Sequence, residues 1–492
     1  MHPQVLRSLA AALAASTVAT GVSAQFSFTS ASVPTGIEPD GAVLFDLDGD
    51  GDLDLAVTVD TPDRVELYTN TGGTFTLAGS LFTGNSSSPH ALVAADFDRD
   101  GDQDLAVTLD DFAQVHVYTN VAGSLTLAST FATGAEPRAI EAADLDGDGF
   151  VDLVTSNREG NNITVAYSVA GSFAAAANVA TGLEPRKLAL GDFDGDGTHE
   201  VAVAAHDSRS VQVFDAVPGS LALVATLSTG FVLRPEGLDA ADVNGDGLVD
   251  LLSSTSGAGS FVSVWLGQGG VLFGARTDYP LGGLDPSSLV AADLDGDGDP
   301  DVATADSDSN TVTVMENVGG AFAVAATLAT ALDPDSILAG DVNNDGGVDL
   351  LVANGDGASV SLFTNANGQP LSVLVQPVVG SLGLVQLSLP AAAQQGYFCG
   401  FSLSTSGVSL PGGALFPLAF DDLLIDSLNP TAGSFQNTIG VLDGAGRAQV
   451  QLVVPPNVAI AGARFFTAAV LLGGSQPLTF GAVHGPVSIV VQ

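Results

Sequence analysis

Seven short acidic segments carry the residue types and spacing that could do chemistry. The first runs Asp46, Asp48, Asp50, Gly51, Asp54, with carboxylates at positions one, three, five and nine and glycine at six. Equivalent segments begin at Asp96, Asp144, Asp192, Asp242, Asp293 and Asp341. Their third positions are Asp98, Asp146, Asp194, Asn244, Asp295 and Asn343. Their fifth positions are Asp100, Asp148, Asp196, Asp246, Asp297 and Asp345. Their ninth positions are Asp104, Asp152, Glu200, Asp250, Asp301 and Asp349. Hard oxygen donors alternating through a sharp, glycine-bearing turn suit Ca²⁺, whereas Mg²⁺ resists so many protein ligands. Position seven varies through Asp52, Phe150, Thr198, Leu248 and Gly347, so it would offer its carbonyl. Position twelve holds residues such as Val57 and Val107 rather than a bidentate Glu, so the segment is not an EF-hand. The alternative is a set of merely solvated acidic turns. Against it, the four ligand positions hold 26 of the 56 acids, and carboxylates so crowded repel one another without a cation. About one calcium ion per segment, seven in all, is expected.

Such loops need a scaffold that repeats with them. The starts are 50, 48, 48, 50, 51 and 48 residues apart. A period near 50 with short alternating apolar runs predicts one four-stranded propeller blade per repeat. A proline stands seven residues before each loop: Pro39, Pro89, Pro137, Pro185, Pro235, Pro286 and Pro334. Between proline and loop lies a short strand such as 91–95. It ends on a small residue in six cases (Ala95, Ala143, Gly191, Ala241, Ala292, Gly340), which suits convergence near an axis. A second strand (104–108), a third (114–118) and a fourth (124–130) follow. Repeat seven stops after its third strand, at 359–363. The missing fourth matches Phe26 to Val33, so the N-terminal segment is expected to close the ring and leave no open edge.

These loops, with segments such as 305–314, closely resemble FG-GAP/VCBS repeats over about residues 26–368. The resemblance implies a seven-bladed β-propeller of the kind that heads integrin α-subunits, with calcium in its Asp-rich loops. Phe273-Gly274 is the one Phe-Gly in the repeats, and Gly-Ala-Pro is missing, so the resemblance does not carry integrin-like adhesion with it.

Three segments are expected: a signal peptide over 1–24, the propeller over 25–368 and a β-sandwich over 369–492. The first has Arg7, an apolar run from Leu9 to Val18, and a small-residue cleavage site at 22–24, so the protein should be secreted or held at the cell surface. No later run is long enough to span a membrane. Cys399 stands alone in an apolar stretch and reads as an inert thiol. Past 368 the period ends, and runs such as 384–389 and 448–454 alternate as sandwich strands do.

With 56 acids against 12 bases, a net charge of -44 excludes nucleic acid and anionic lipid as partners. The few cations are unevenly spread. Arg64, Arg138, Arg158, Arg186, Lys187, Arg209 and Arg234 fall in turns at the end away from the acidic loops. Of these, Arg138, Arg158, Arg186, Arg209 and Arg234 are candidate ligand contacts, because arginine grips carboxylate or sulfate. Local pairing with Glu136, Glu184, Asp207 and Glu236 is the alternative. Two functions stand side by side. One is a monomeric, non-catalytic binding or adhesion module for an extracellular glycan or protein. The other is a carbohydrate-active enzyme such as a polysaccharide lyase, with His90 or His206 as base beside Arg138 or Arg186.

Overall fold

In the computed structural model the described residues are 26–365, apart from 170–171, 174–176 and 218. Beyond them it describes only the backbones of strands at 382–388, 396–400, 438–441, 447–453, 464–473 and 479–490. The signal peptide, the thiol of Cys399 and the packing that would make a C-terminal sandwich lie outside the described residues.

Seven antiparallel four-stranded sheets form the propeller, and no helix is present among the described residues. None is therefore long and apolar enough to cross a membrane. Blade 1 comprises Ile37–Phe45, Asp54–Thr61, Arg64–Thr71 and Thr74–Phe82, from the axis outwards. The innermost strands of blades 2 to 6 are Pro89–Ala95, Pro137–Ala143, Pro185–Gly191, Leu233–Ala241 and Pro286–Ala292. Blade 7 has Pro334–Gly340, Asp349–Asn354 and Ser359–Asn365. Its outer strand is Phe28–Pro34, which runs antiparallel to Ser359–Asn365 with Phe28 opposite Asn365. The ring closes as the repeat pattern requires, and the innermost strands of blades 7 and 1 lie side by side.

Burial follows position in the blade. Second strands such as Asp104–Leu109 are buried throughout, because a neighbouring blade covers each face. Outer strands such as Thr74–Phe82 are mostly exposed and carry Thr and Ser. One apolar cluster fills each gap between neighbouring blades. Between blades 1 and 2, Phe45 and Val65 pack against Leu105 and Tyr118. Each such buried side chain contributes roughly 1.5–3 kcal/mol. The small residues at the loop ends have a steric cause. A Cβ at Gly191 would lie 2.9 Å from the Phe193 ring and 3.0 Å from Val249.

Polar clamps supplement this packing. Asn120, in the third strand of blade 2, donates Nδ2–H to the carbonyl of Leu47 in the blade 1 acidic loop at 2.8 Å. Asn70 reaches Val342, Asn317 reaches Val243 and Asn365 reaches Leu294 in the same way. These clamps join blades 7–1, 1–2, 5–6 and 6–7. At the corresponding positions blades 3, 4 and 5 carry Ser168, Ala216 and Gly267.

Candidate functional site: the acidic loops, the proline end and the axial cavity

All seven acidic loops connect a first strand to a second, so they share one end of the propeller. The opposite end is formed by the turns between second and third strands and by the segments entering each proline. We call it the proline end.

Each loop is wound around its first carboxylate. Asp144 Oδ1 accepts from the amide of Gly147 at 2.8 Å, and Oδ2 from Gly149 at 2.7 Å. Asp46, Asp192, Asp242 and Asp293 do the same. The sixth residue must be glycine because its φ lies between 86° and 100° in all seven loops. The fifth carboxylate accepts from the amide of residue seven throughout.

The ninth residue has a role that its spacing did not reveal. Asp54 is 1% exposed, and it accepts from Leu47 N at 2.9 Å and from Asn70 N at 2.7 Å. Asp104, Asp152, Asp250, Asp301 and Asp349 repeat both bonds, tying the loop to the second and third strands. Glu200 uses one oxygen for Phe193 and Asp194, leaving Oε1 buried without a partner. A carboxylate oxygen has more than one acceptor site, so anchoring leaves capacity for a cation.

The loops could hold metal ions. In the first four, three acidic groups offer atoms within 4.8 Å of one another: Asp46, Asp48 and Asp50; Asp96, Asp98 and Asp104; Asp144, Asp146 and Asp152; Asp192, Asp194 and Glu200. Asp96 Oδ1, like Glu200 Oε1, is buried with no hydrogen-bond partner. Burial, and then the neighbouring Asp297 and Asp293, pushes Asp295 up to about 6. Burial pushes Asp301 up to about 7, against two backbone hydrogen bonds that lower it. A hard cation would supply the missing positive charge, so the donor set fits one.

The proline end gathers the arginines and pairs most of them. Arg138 meets Asp110 at 3.2 Å, and Arg158 meets Glu136 at 2.6 Å. Arg186 bridges Glu236 at 2.8 Å and Glu184 at 3.3 Å, and Arg234 lies 3.7 Å from Asp207. Arg209 is half-buried, and its Nε has no hydrogen-bond partner. Local pairing, the alternative weighed for these residues, is thus present. A guanidinium has five donors, however, and each pair occupies one or two. Exposed apolar side chains share this end. Ile37 and Leu183 are 56% exposed, Leu332 58%, Leu284 59% and Phe231 95%.

His206 is buried between two carboxylates, with Nδ1 3.0 Å from Asp207 and Nε2 3.0 Å from Glu236. Ser256 also donates to Glu236, making a network across blades 4 and 5. His90 faces the axis. Burial, then Arg138, Lys187 and Arg158 around it, holds its imidazole well below the usual range. The axis itself is a cavity of about 780 Å³ that reaches all seven innermost strands and is lined by Asp40, His90, Arg138, Glu141, Lys187 and Asp239 among others. Sequence reading missed Glu141 and Asp239, which look like single interruptions of short apolar strands.

The FG-GAP-like repeat matches six overlapping segments, at 46–107, 96–155, 144–203, 192–253, 242–304 and 293–352. The chain belongs to the FG-GAP-like repeat family. No curated protein sequence matches this FG-GAP-like chain. Among solved structures, BBS1N crystallised with ARL6DN is 15% identical, with 69% of this chain and 97% of that one covered and a TM-score of 0.50. That likeness shows the propeller fold alone. A Lactobacillus plantarum protein (15% identical, covering 60% and 86%, TM-score 0.47) is also similar. So is the Pseudomonas aeruginosa periplasmic gluconolactonase PpgL (17%, 62% and 87%, TM-score 0.45).

Proposed function

We propose that this chain is an exported, calcium-loaded FG-GAP-like propeller working as a non-catalytic binding module. Its ligand is an acidic glycan or an acidic stretch of protein docked at the proline end over blades 3 to 5. The observation that carries this reading is the contrast between the two ends. One end is given over to acidic loops whose clustered carboxylates could hold a cation. The other gathers arginines with donors to spare and also carries exposed apolar side chains, the composition of a recognition surface. Calcium supports the ring by neutralising the loops and adds no chemistry to ligand binding. A lyase would need a basic histidine free to take a proton: His206 already has a carboxylate on each ring nitrogen, and His90 lies in the axial cavity, where burial and then Arg138, Lys187 and Arg158 make its imidazole a weak base. Export by the 1–24 segment is part of the same proposal, and puts the loops where calcium is plentiful.

The test is binding of the calcium-loaded protein to polygalacturonate and to a sulfated polysaccharide at low salt. Affinity should fall as salt rises. It should also fall with Arg138→Ala, Arg158→Ala or Arg186→Ala, and survive Arg447→Ala. Failure of both polymers to bind, or equal effects of all four substitutions, would overturn the site. Release of unsaturated sugars would favour the lyase instead.

A further inference from the structure

The axial cavity contains ionisable side chains that make no direct hydrogen bond or ion pair. Asp40, Glu141 and Lys187 line it, and none is hydrogen-bonded or ion-paired to another described residue. That is unlike the rim, where Arg138, Arg158 and Arg186 each have a carboxylate within 3.3 Å. The charges are also sorted around the ring. Asp40 and Asp335 follow the prolines of blades 1 and 7, which are neighbours. Arg138 follows the proline of blade 3, and Lys187 stands one residue further along the first strand of blade 4, both across the axis. Deeper, Glu141 and Asp239 flank Lys187 from blades 3 and 5. Gly41 lies close against the neighbouring first strand, since a Cβ there would lie 2.3 Å from the carbonyl of His90. The wall is therefore closely packed backbone, and the charged side chains are its chemical features.

We propose that this cavity binds a small zwitterion, whose carboxylate meets Lys187 while its ammonium meets Asp40. A dipole of that kind satisfies both walls at once, whereas a simple anion or cation satisfies one and opposes the other. The titration of the wall agrees. Burial, with Asp60 and Asp335 nearby, pushes Asp40 up to about 7. Burial and Asp239 push Glu141 up to about 8, and burial lowers the Lys187 ammonium despite the acids around it. Most of the remaining lining is Ala, Val, Leu, Ile and Gly, with Asp144, Thr198, His199, Ser288 and Ser336 among them, and it suits a short methylene chain between the two ends. The site lies inside the ring, so it does not rest on glycan or protein docking at the rim.

The test is calorimetric titration of the full calcium-loaded chain with 4-aminobutyrate and 6-aminohexanoate, with butylamine and butyrate as singly charged controls. At least one zwitterion should bind about tenfold more tightly than either control. Lys187→Met and Asp40→Asn should each weaken it by about tenfold, and Lys187→Arg should stay within about threefold of wild type. Arg276→Ala, beside the outer strand of blade 5 and paired with Asp278, should leave it unchanged. The proposal falls if the controls bind as well as the zwitterions or if no zwitterion binds. It also falls if Lys187→Arg loses as much as Lys187→Met, or if added magnesium displaces the zwitterion and marks the cavity as a cation site. If acidic polysaccharides fail while a zwitterion binds, the rim reading falls alone.

Discussion

Replacing Asn120 by alanine should loosen two blades at once. The side chain is 1% exposed and makes three hydrogen bonds. Nδ2 donates to Leu47 O at 2.8 Å and to Gln103 O at 3.1 Å, and Oδ1 accepts from Gly123 N at 3.0 Å. Each such bond is worth about 1 kcal/mol net, and a buried group left unpaired costs about 1–3 kcal/mol. Water can reach Gly123 at the turn, so the penalty falls mainly on the two carbonyls. The expected loss is on the order of 3–5 kcal/mol, a large share of the roughly 5–15 kcal/mol that holds a typical domain together. Urea unfolding at saturating calcium, followed by fluorescence of the buried Trp265, measures it. Thr119→Ala, at a half-buried neighbour, should change stability by less than about 0.5 kcal/mol. Leu47 is also the second residue of the blade 1 loop, so Asn120→Ala should weaken calcium binding there although it removes no ligand. If Asn120→Ala unfolds within about 1 kcal/mol of wild type, the clamp is not a stabilising element and the reasoning fails.

Other outcomes follow from the same structure. Elemental analysis of the calcium-equilibrated protein should find about seven ions, and a chelator should lower the melting temperature steeply; at calcium tenfold above a site's Kd, each site adds around 1.4 kcal/mol. Glu141→Gln should remove a pH dependence. The wild-type carboxyl, ordinarily near 4.5, is pushed up to about 8 in the folded chain by burial and Asp239. The folded state therefore holds the proton to higher pH than the unfolded one, and wild-type stability falls as pH rises through that window by at most about 1.4 kcal/mol per unit. Equal slopes for both proteins in denaturation at pH 5 and pH 8 would refute it. Deleting residues 26–34 should cost blade 7 its outer strand and lower the melting temperature far more than trimming the chain beyond residue 480.

Most of the architecture can be read from the sequence, because each blade repeats its own instructions. The Asp46-type loop, the proline seven residues earlier and the missing fourth strand of repeat seven all lie within one period or at its ends. Three features could not be read, each for a physical reason. The Asn120 clamp joins residues 73 apart in different repeats, and nothing within one repeat marks its target. The ninth acid, Asp54, has the spacing of a ligand, and only the folded loop shows that it also anchors two backbone amides. The axial wall depends on which blades face one another. Lys187 reads as one of a run of rim cations until the ring closes and turns it towards Asp40.

Closure by Phe28–Pro34 also has a consequence for the order of events in synthesis. Thr29 pairs with Thr364, 335 residues later. At about 5–20 residues per second, the first strand made waits roughly 20–70 s for its partner to emerge. An unpaired strand of that age is an invitation to wrong partners. This one is mostly Ser, Thr and Ala, and Val33 is its one buried residue. The propeller opens with a strand that exposes little apolar surface while it waits, and the fully buried strands fall to blades that can fold as they appear.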